Sequence, residues 1–153
     1  MKNKNNLKGV LKDNLNICIL GPSGYTGHET IRILLRHPKV KIKLLIGNKS
    51  SGKNVNEIFS TLINIDLPKI ISIKDADFKG IDVVFSCMPS GQLCSIIDFL
   101  PRDLVLIDLS ADFRIKDYKL YEKYYGSHKN KNFLKKFAYG LPEINKKKIL
   151  KSK

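Results

Sequence analysis

The sequence predicts an α/β fold, a doubly wound and mostly parallel sheet, on two observations. Short β-branched and leucine-rich runs alternate with runs whose apolar residues recur at helical spacing, separated by brief Gly and Pro turns. Near the start, the apolar run Asn16-Ile17-Cys18-Ile19-Leu20 passes through Gly21-Pro22-Ser23-Gly24-Tyr25-Thr26-Gly27 into Ile31, Ile33, Leu34 and Leu35. That order is strand, glycine turn, helix. Glycines at G-x-x-G-x-x-G spacing let the backbone turn sharply, approach a pyrophosphate and bring the helix close onto its strand. The unpaired N–H groups that open such a helix stabilise an anion, so the turn predicts a nucleotide cofactor.

The elements follow in order. The first helix runs to the neighbourhood of Pro38, with His37 as a C-terminal helix residue. Val40 to Ile46 alternates lysines with β-branched residues and leucine, a second strand that turns at Gly47. Asn48 to Gly52 is polar loop, and Ile70 to Ile73 is a third short strand. Ile81 to Met88 is nearly continuous apolar sequence, as a strand buried on both faces requires, and Pro89-Ser90-Gly91 stops it. Leu93 to Leu100 carries apolar residues at helical spacing, and Leu104 to Ile107 is another short buried strand. Beyond Asp108 the texture becomes aromatic and charged. Asp117 is a fitting N-cap for a helix whose buried stripe is Tyr118, Tyr121 and Tyr125. Lys146 to Lys153 forms a basic helical tail.

Composition narrows the function classes. A chain of 153 residues with 42% hydrophobic content can bury one good core. The net charge of +14 invites a nucleic-acid reading, but only four of the 28 basic residues are arginines: Arg32, Arg36, Arg102 and Arg114. Base-edge and bidentate phosphate recognition prefer arginine, and the lysines are scattered, so no specific nucleic-acid partner is expected. No apolar stretch reaches membrane-spanning length, and the first residues lack an apolar secretory core, so the expectation is a cytoplasmic protein with no membrane partner. Cys18, Cys87 and Cys94 form no C-x-x-C pair, and neither a metal site nor a disulfide framework is expected.

The cofactor's identity is read about twenty residues past the glycine turn, where an acid would hold an NAD ribose 2′-hydroxyl. This chain has Lys49, Ser50 and Ser51 there instead. A cation and two hydroxyls suit a 2′-phosphate, so NADP is favoured over NAD, although the same residues also suit a plain polar turn. Two further strand ends face the same crevice. Pro89, Ser90 and Gly91 either contact the cofactor's ribose or nicotinamide or form an ordinary strand-to-helix turn. Ser110, Asp112 and Arg114 either touch substrate or satisfy one another as a loop network.

Five strings in order resemble N-acetyl-gamma-glutamyl-phosphate reductases: Gly21 to Gly27, Leu35-Arg36-His37-Pro38, Met88 to Gly91, Asp108 to Arg114, and Tyr139-Gly140-Leu141-Pro142-Glu143. The resemblance runs from about Ile17 to the end, and the last two strings are the specific ones. It implies a Rossmann-like NADP-binding domain over 15–153 with the catalytic and dimerisation domain absent; the lysine- and asparagine-rich residues 1–14 before it read, from their composition, as a flexible basic tail. The fold is then incomplete relative to the family. The implied function is NADPH-dependent reduction of N-acetyl-glutamyl 5-phosphate to the 5-semialdehyde in arginine biosynthesis, here as a truncated or split N-terminal part. Alternatives are a stand-alone or vestigial NADP-binding module without catalysis, or a relative acting on aminoadipyl phosphate or aspartyl phosphate. The family's cysteine nucleophile lies downstream of Glu143 in a segment this sequence does not include, so no catalytic residue maps here, and Cys87 reads as structural. The expected partners are an acyl-phosphate substrate if a C-terminal half completes the chain, and either that half or further copies of the chain.

Overall fold

The computed structural model describes residues 14–152, so the tail expected over 1–14 lies, apart from Asn14, outside the described residues, as does Lys153. Five parallel strands form one sheet in the order β3-β2-β1-β4-β5: β1 (Leu15–Leu20), β2 (Val40–Ile46), β3 (Ile70–Ile71), β4 (Val83–Ser86) and β5 (Val105–Asp108). This is the doubly wound order, whose strand sequence reverses between β1 and β4 and opens a crevice at their carboxyl ends.

β1 is central, paired with β2 and β4, and its side chains alternate between two cores. Ile17 and Ile19 join Ile31 of helix α1 (Tyr25–Leu34) on one face. Cys18 and Leu20 join Leu93, Cys94 and Phe113 on the other, the face of helix α2 (Leu93–Ile96). Burial on both faces explains why β1 has no polar alternation. In β2, Lys41 and Lys43 point out while Ile42, Leu44, Leu45 and Ile46 are buried. Helix α3 (Tyr118–Tyr125) and helix α4 (Pro142–Ile149) follow the sheet. Among the described residues no helix is long and apolar enough to cross a membrane.

Several elements are shorter than their sequence pattern. α1 ends at Leu34 rather than near Pro38, because the Arg36 and His37 N–H groups close turns onto Ile33 and Leu34. His37 Nδ1 then accepts from the Lys39 N–H, and the residue before a proline resists helical geometry. β3 keeps two residues, since the Ser72 hydroxyl accepts from Lys74 N–H and starts a 3-10 turn. The helix expected over Leu93 to Leu100 tightens into a 3-10 turn at Ile97–Phe99 before Pro101. β5 is not buried on both faces: Val105 and Ile107 are 40% and 38% exposed, because β5 is the sheet edge and only its α2 face is covered. Asp117 does cap α3, accepting from Leu120 N–H. Of the tyrosine stripe only Tyr121 is buried, while Tyr125 is 43% exposed where α3 stops at Gly126, φ +80°.

Candidate cofactor site

The four sequence segments with functional promise meet at the carboxyl end of the sheet. Gly21 has φ +77°, and a Cβ there would come within 3.0 Å of the Cys87 carbonyl oxygen, so the glycine turn lies against the end of β4. Ser50 donates to the Ser23 hydroxyl at 3.1 Å, which ties the loop after β2 to the same turn. The Gly91 N–H donates to Asp112 Oδ1, tying the loop after β5 to the loop after β4.

The crest of the glycine turn has the properties an anion site needs. α1 starts after Gly24, an extended residue, with no side-chain cap and no acid in its first turn. Its opening N–H groups and the positive end of its dipole are therefore left for a ligand. A Cβ on Gly24 would meet nothing nearer than the Gly21 oxygen at 3.9 Å, so the space above it is open. Ser23, Tyr25 and Thr26 are exposed around it, whereas Gly27 is buried against Gly21 and Pro22. This cradle, which a side chain would fill, fits a pyrophosphate.

The residues expected at the 2′-position divide. Lys49 and Ser51 are exposed beside the turn, while Ser50 is buried and committed to Ser23. Pro89 and Ser90 are exposed after β4, and Gly91 takes φ +87°. The Asp108–Arg114 loop divides similarly. Asp112 is 0% exposed and accepts from Gly91 N–H and Cys94 N–H, so it caps the entry to α2 and belongs to the loop network. Ser110 Oγ accepts from the Asp112 N–H, and Arg114 is exposed, held by the Ser110 carbonyl at 3.2 Å.

No periodic or motif signal in the sequence singles out His128, yet the structure gives it a buried place. The ring is 2% exposed, wedged against Phe113 and Tyr121, and Nε2 donates to the Asp112 carbonyl at 2.7 Å. Nδ1 accepts from Asn130 N–H, which places the ring proton on Nε2. It braces the Asp112 loop from behind, across sixteen residues of sequence that carry no periodic signal.

None of the three thiols is set up as a nucleophile. All are buried, and burial pushes the Cys18 thiol up to about 12. Burial also raises Cys87, only partly offset by its contact with the Thr30 hydroxyl. Among the described residues no three His, Cys, Asp or Glu side chains gather as a metal-ligand set.

Asp108 is the titrating group at this end of the sheet. Burial raises its pKa above the ordinary 3.8, against the opposing bonds from Ser110. The folded state thus holds this proton more tightly than the unfolded chain, and the associated stability is present below pH 3.8 and lost as pH rises through the folded value. Urea midpoints measured from about pH 4 to pH 7 should therefore fall less with pH in Asp108→Asn than in wild type. An identical slope would show that Asp108 ionises without cost.

A family model described as semialdehyde dehydrogenase, NAD binding domain, matches residues 16–152. Similar curated proteins include the probable N-acetyl-gamma-glutamyl-phosphate reductase, chloroplastic, of Oryza sativa, 41% identical over 138 residues, covering 90% of this chain and 33% of that protein. The N-acetyl-gamma-glutamyl-phosphate reductase of Rhodobacter capsulatus is 42% identical over 134 residues, covering 87% and 39%. The chain thus spans between a third and two fifths of the length of these relatives. Among solved structures, aspartate semialdehyde dehydrogenase with NADP from Candida albicans superposes with a TM-score of 0.57 at 22% identity, covering 69% of this chain and 32% of that one. That likeness shows the fold.

Proposed function

The chain belongs to the semialdehyde dehydrogenase NAD-binding domain family, and from that premise we propose that it is the NADPH-binding part of an acyl-phosphate reductase. The substrate of the completed enzyme is N-acetyl-glutamyl 5-phosphate, reduced to the 5-semialdehyde. The observation that carries the reading is the open cradle over Gly24 at the uncapped start of α1, flanked by Ser23 and by the loop bearing Lys49 and Ser51. The pyrophosphate rests on the α1 N–H groups, and Lys49 with Ser51 takes the 2′-phosphate, with Ser50 holding that loop in place through Ser23. Pro89, Ser90 and Gly91 line the side of the crevice toward β4, where the nicotinamide end lies; the bound cofactor supplies hydride.

Arg114 is the residue of the β5 loop that remains available for substrate. Its guanidinium is exposed and held by a backbone carbonyl, and among the described residues no carboxylate stands within ion-pair distance of it, so it can pair with the phosphate of an acyl phosphate. The nucleophile comes from outside this sequence, since Cys18, Cys87 and Cys94 are all buried. This favours a second reading for the chain acting by itself, a cofactor-binding module without turnover. Three free cysteines support a reducing compartment, and our reading of that compartment is the cytoplasm.

The test has two arms. Fluorescence titration should show NADPH binding more tightly than NADH, with Lys49→Gln narrowing the gap and Gly24→Val abolishing both at a cost in stability of no more than about 1 kcal/mol. NADH preferred over NADPH would overturn the cofactor assignment. In the second arm, phosphate-dependent NADP reduction by N-acetyl-glutamate 5-semialdehyde should appear only when a C-terminal half from a related reductase is added, and Arg114→Gln should raise KM for phosphate. Turnover by the chain alone that vanishes in Cys87→Ser would make Cys87 the nucleophile.

A further inference from the structure

We propose that the α2 face of the sheet carries a small-molecule site, separate from the cofactor crest, that takes an apolar monoanion: a flat hydrocarbon body bearing one carboxylate or sulfonate. A cavity of about 450 Å³ opens there, inside the range of small-ligand pockets, roughly 300–1,000 Å³. Leu106 forms its floor, over the fully buried Val84 that pairs with it in the β4–β5 register, and Leu104, Phe133 and Phe137 are its partly exposed walls. Val84 and Leu106 stand two positions before the strand ends at Ser86 and Asp108, so the cavity lies away from the glycine turn and shares no residue with it.

The mouth supplies the recognition. The Arg102 guanidinium stands 4.6 Å and the Lys136 ammonium 4.7 Å from the centroid of one ring, Phe133. Arg102 already has Asp98 at 2.7 Å, while among the described residues no carboxylate stands within ion-pair distance of Lys136. Two cations and one carboxylate leave a single positive charge at the rim of an apolar cavity. A neutral hydrocarbon would leave that charge unmet, and inorganic phosphate would leave the cavity unfilled. One negative head on an apolar body does both, burying its hydrocarbon while its head stays at the partly hydrated rim, where a charge pair costs little desolvation.

The test is titration of the ¹⁵N-labelled full chain with sodium 1-naphthoate, with 1-naphthalenemethanol as the neutral isostere. Saturable amide shifts are expected at Leu100, Arg102, Lys136 and Phe137, with none at Gly24 to Gly27. Naphthoate should bind about two- to five-fold more tightly than the alcohol, the range that an exposed rim ion pair provides. Lys136→Gln, a change at an exposed position, should erase that preference while leaving alcohol binding unchanged. The proposal is overturned by the absence of saturable shifts, by shifts confined to the exposed edge of β5, by equal affinity for the alcohol, or by a preference that survives Lys136→Gln.

Discussion

Replacement of Gly27 by alanine is expected to destabilise the chain by about 3 kcal/mol and to abolish dinucleotide binding, the upper end of what overpacking a tight interior costs. A Cβ at this position would lie 2.2 Å from the Gly21 carbonyl oxygen and 2.7 Å from the Pro22 Cα. Both neighbours are backbone, so no rotamer change relieves the overlap, and α1 must move off the turn that positions its N–H groups. For a domain of this size the loss corresponds to a fall in melting temperature of about 6 to 12 °C. Differential scanning calorimetry with an NADPH titration checks it, and the contrast with Gly24 is diagnostic. A Cβ at Gly24 meets only the Gly21 oxygen, at ordinary contact distance, so valine there should remove binding at no more than about 1 kcal/mol, the cost of a poorer N-cap, whereas Gly27→Ala should lose binding together with about 3 kcal/mol of stability. A Gly27→Ala chain that melts within about 1 kcal/mol of wild type would show that the turn relaxes far more freely than its packing implies.

The second large effect is expected at Asp112. Its carboxylate is wholly buried and accepts from the Gly91 and Cys94 N–H groups, with the Tyr121 hydroxyl at 3.5 Å. Asp112→Ala leaves a buried donor at Cys94 and a part-buried one at Gly91 without partners, and hydrogen bonds to a charged group contribute roughly 1.5–3 kcal/mol each, so a loss of about 3 to 5 kcal/mol is expected. Asp112→Asn keeps one acceptor oxygen and turns an N–H₂ toward the other donor, so it should fall between. Urea unfolding gives the size, and amide exchange should accelerate first at Gly91 and Cys94. A loss below about 1 kcal/mol in Asp112→Ala would mean that solvent reaches these donors.

Much of the fold was legible because sequence and structure share a period. β1 reads as a strand because each of its faces meets a hydrophobic layer, and β2 because lysines alternate with buried residues. Asp117 was legible as a cap because the bond it accepts, from Leu120, is local. The misjudged ends have local causes that composition does not weigh, such as the Ser72 hydroxyl diverting β3 into a 3-10 turn. Tyr125 sat at the right spacing but at the last turn of a short helix, with too little chain over it to bury it.

By itself the sequence determined the strand–turn–helix unit, the alternation of elements that makes a parallel sheet, and the segments that gather at its carboxyl ends, since periodicity and turn chemistry act within a few residues. Tertiary structure alone decided how those segments divide the work. Ser50 and Asp112 looked as available as Lys49 and Arg114, yet the first pair is buried in bonds to Ser23 and to Gly91 and Cys94 while the second faces solvent. His128 became a buried brace for Asp112 across sixteen residues of sequence. The reason is physical: a polar side chain becomes structural or available according to which distant backbone groups would otherwise be left without a partner.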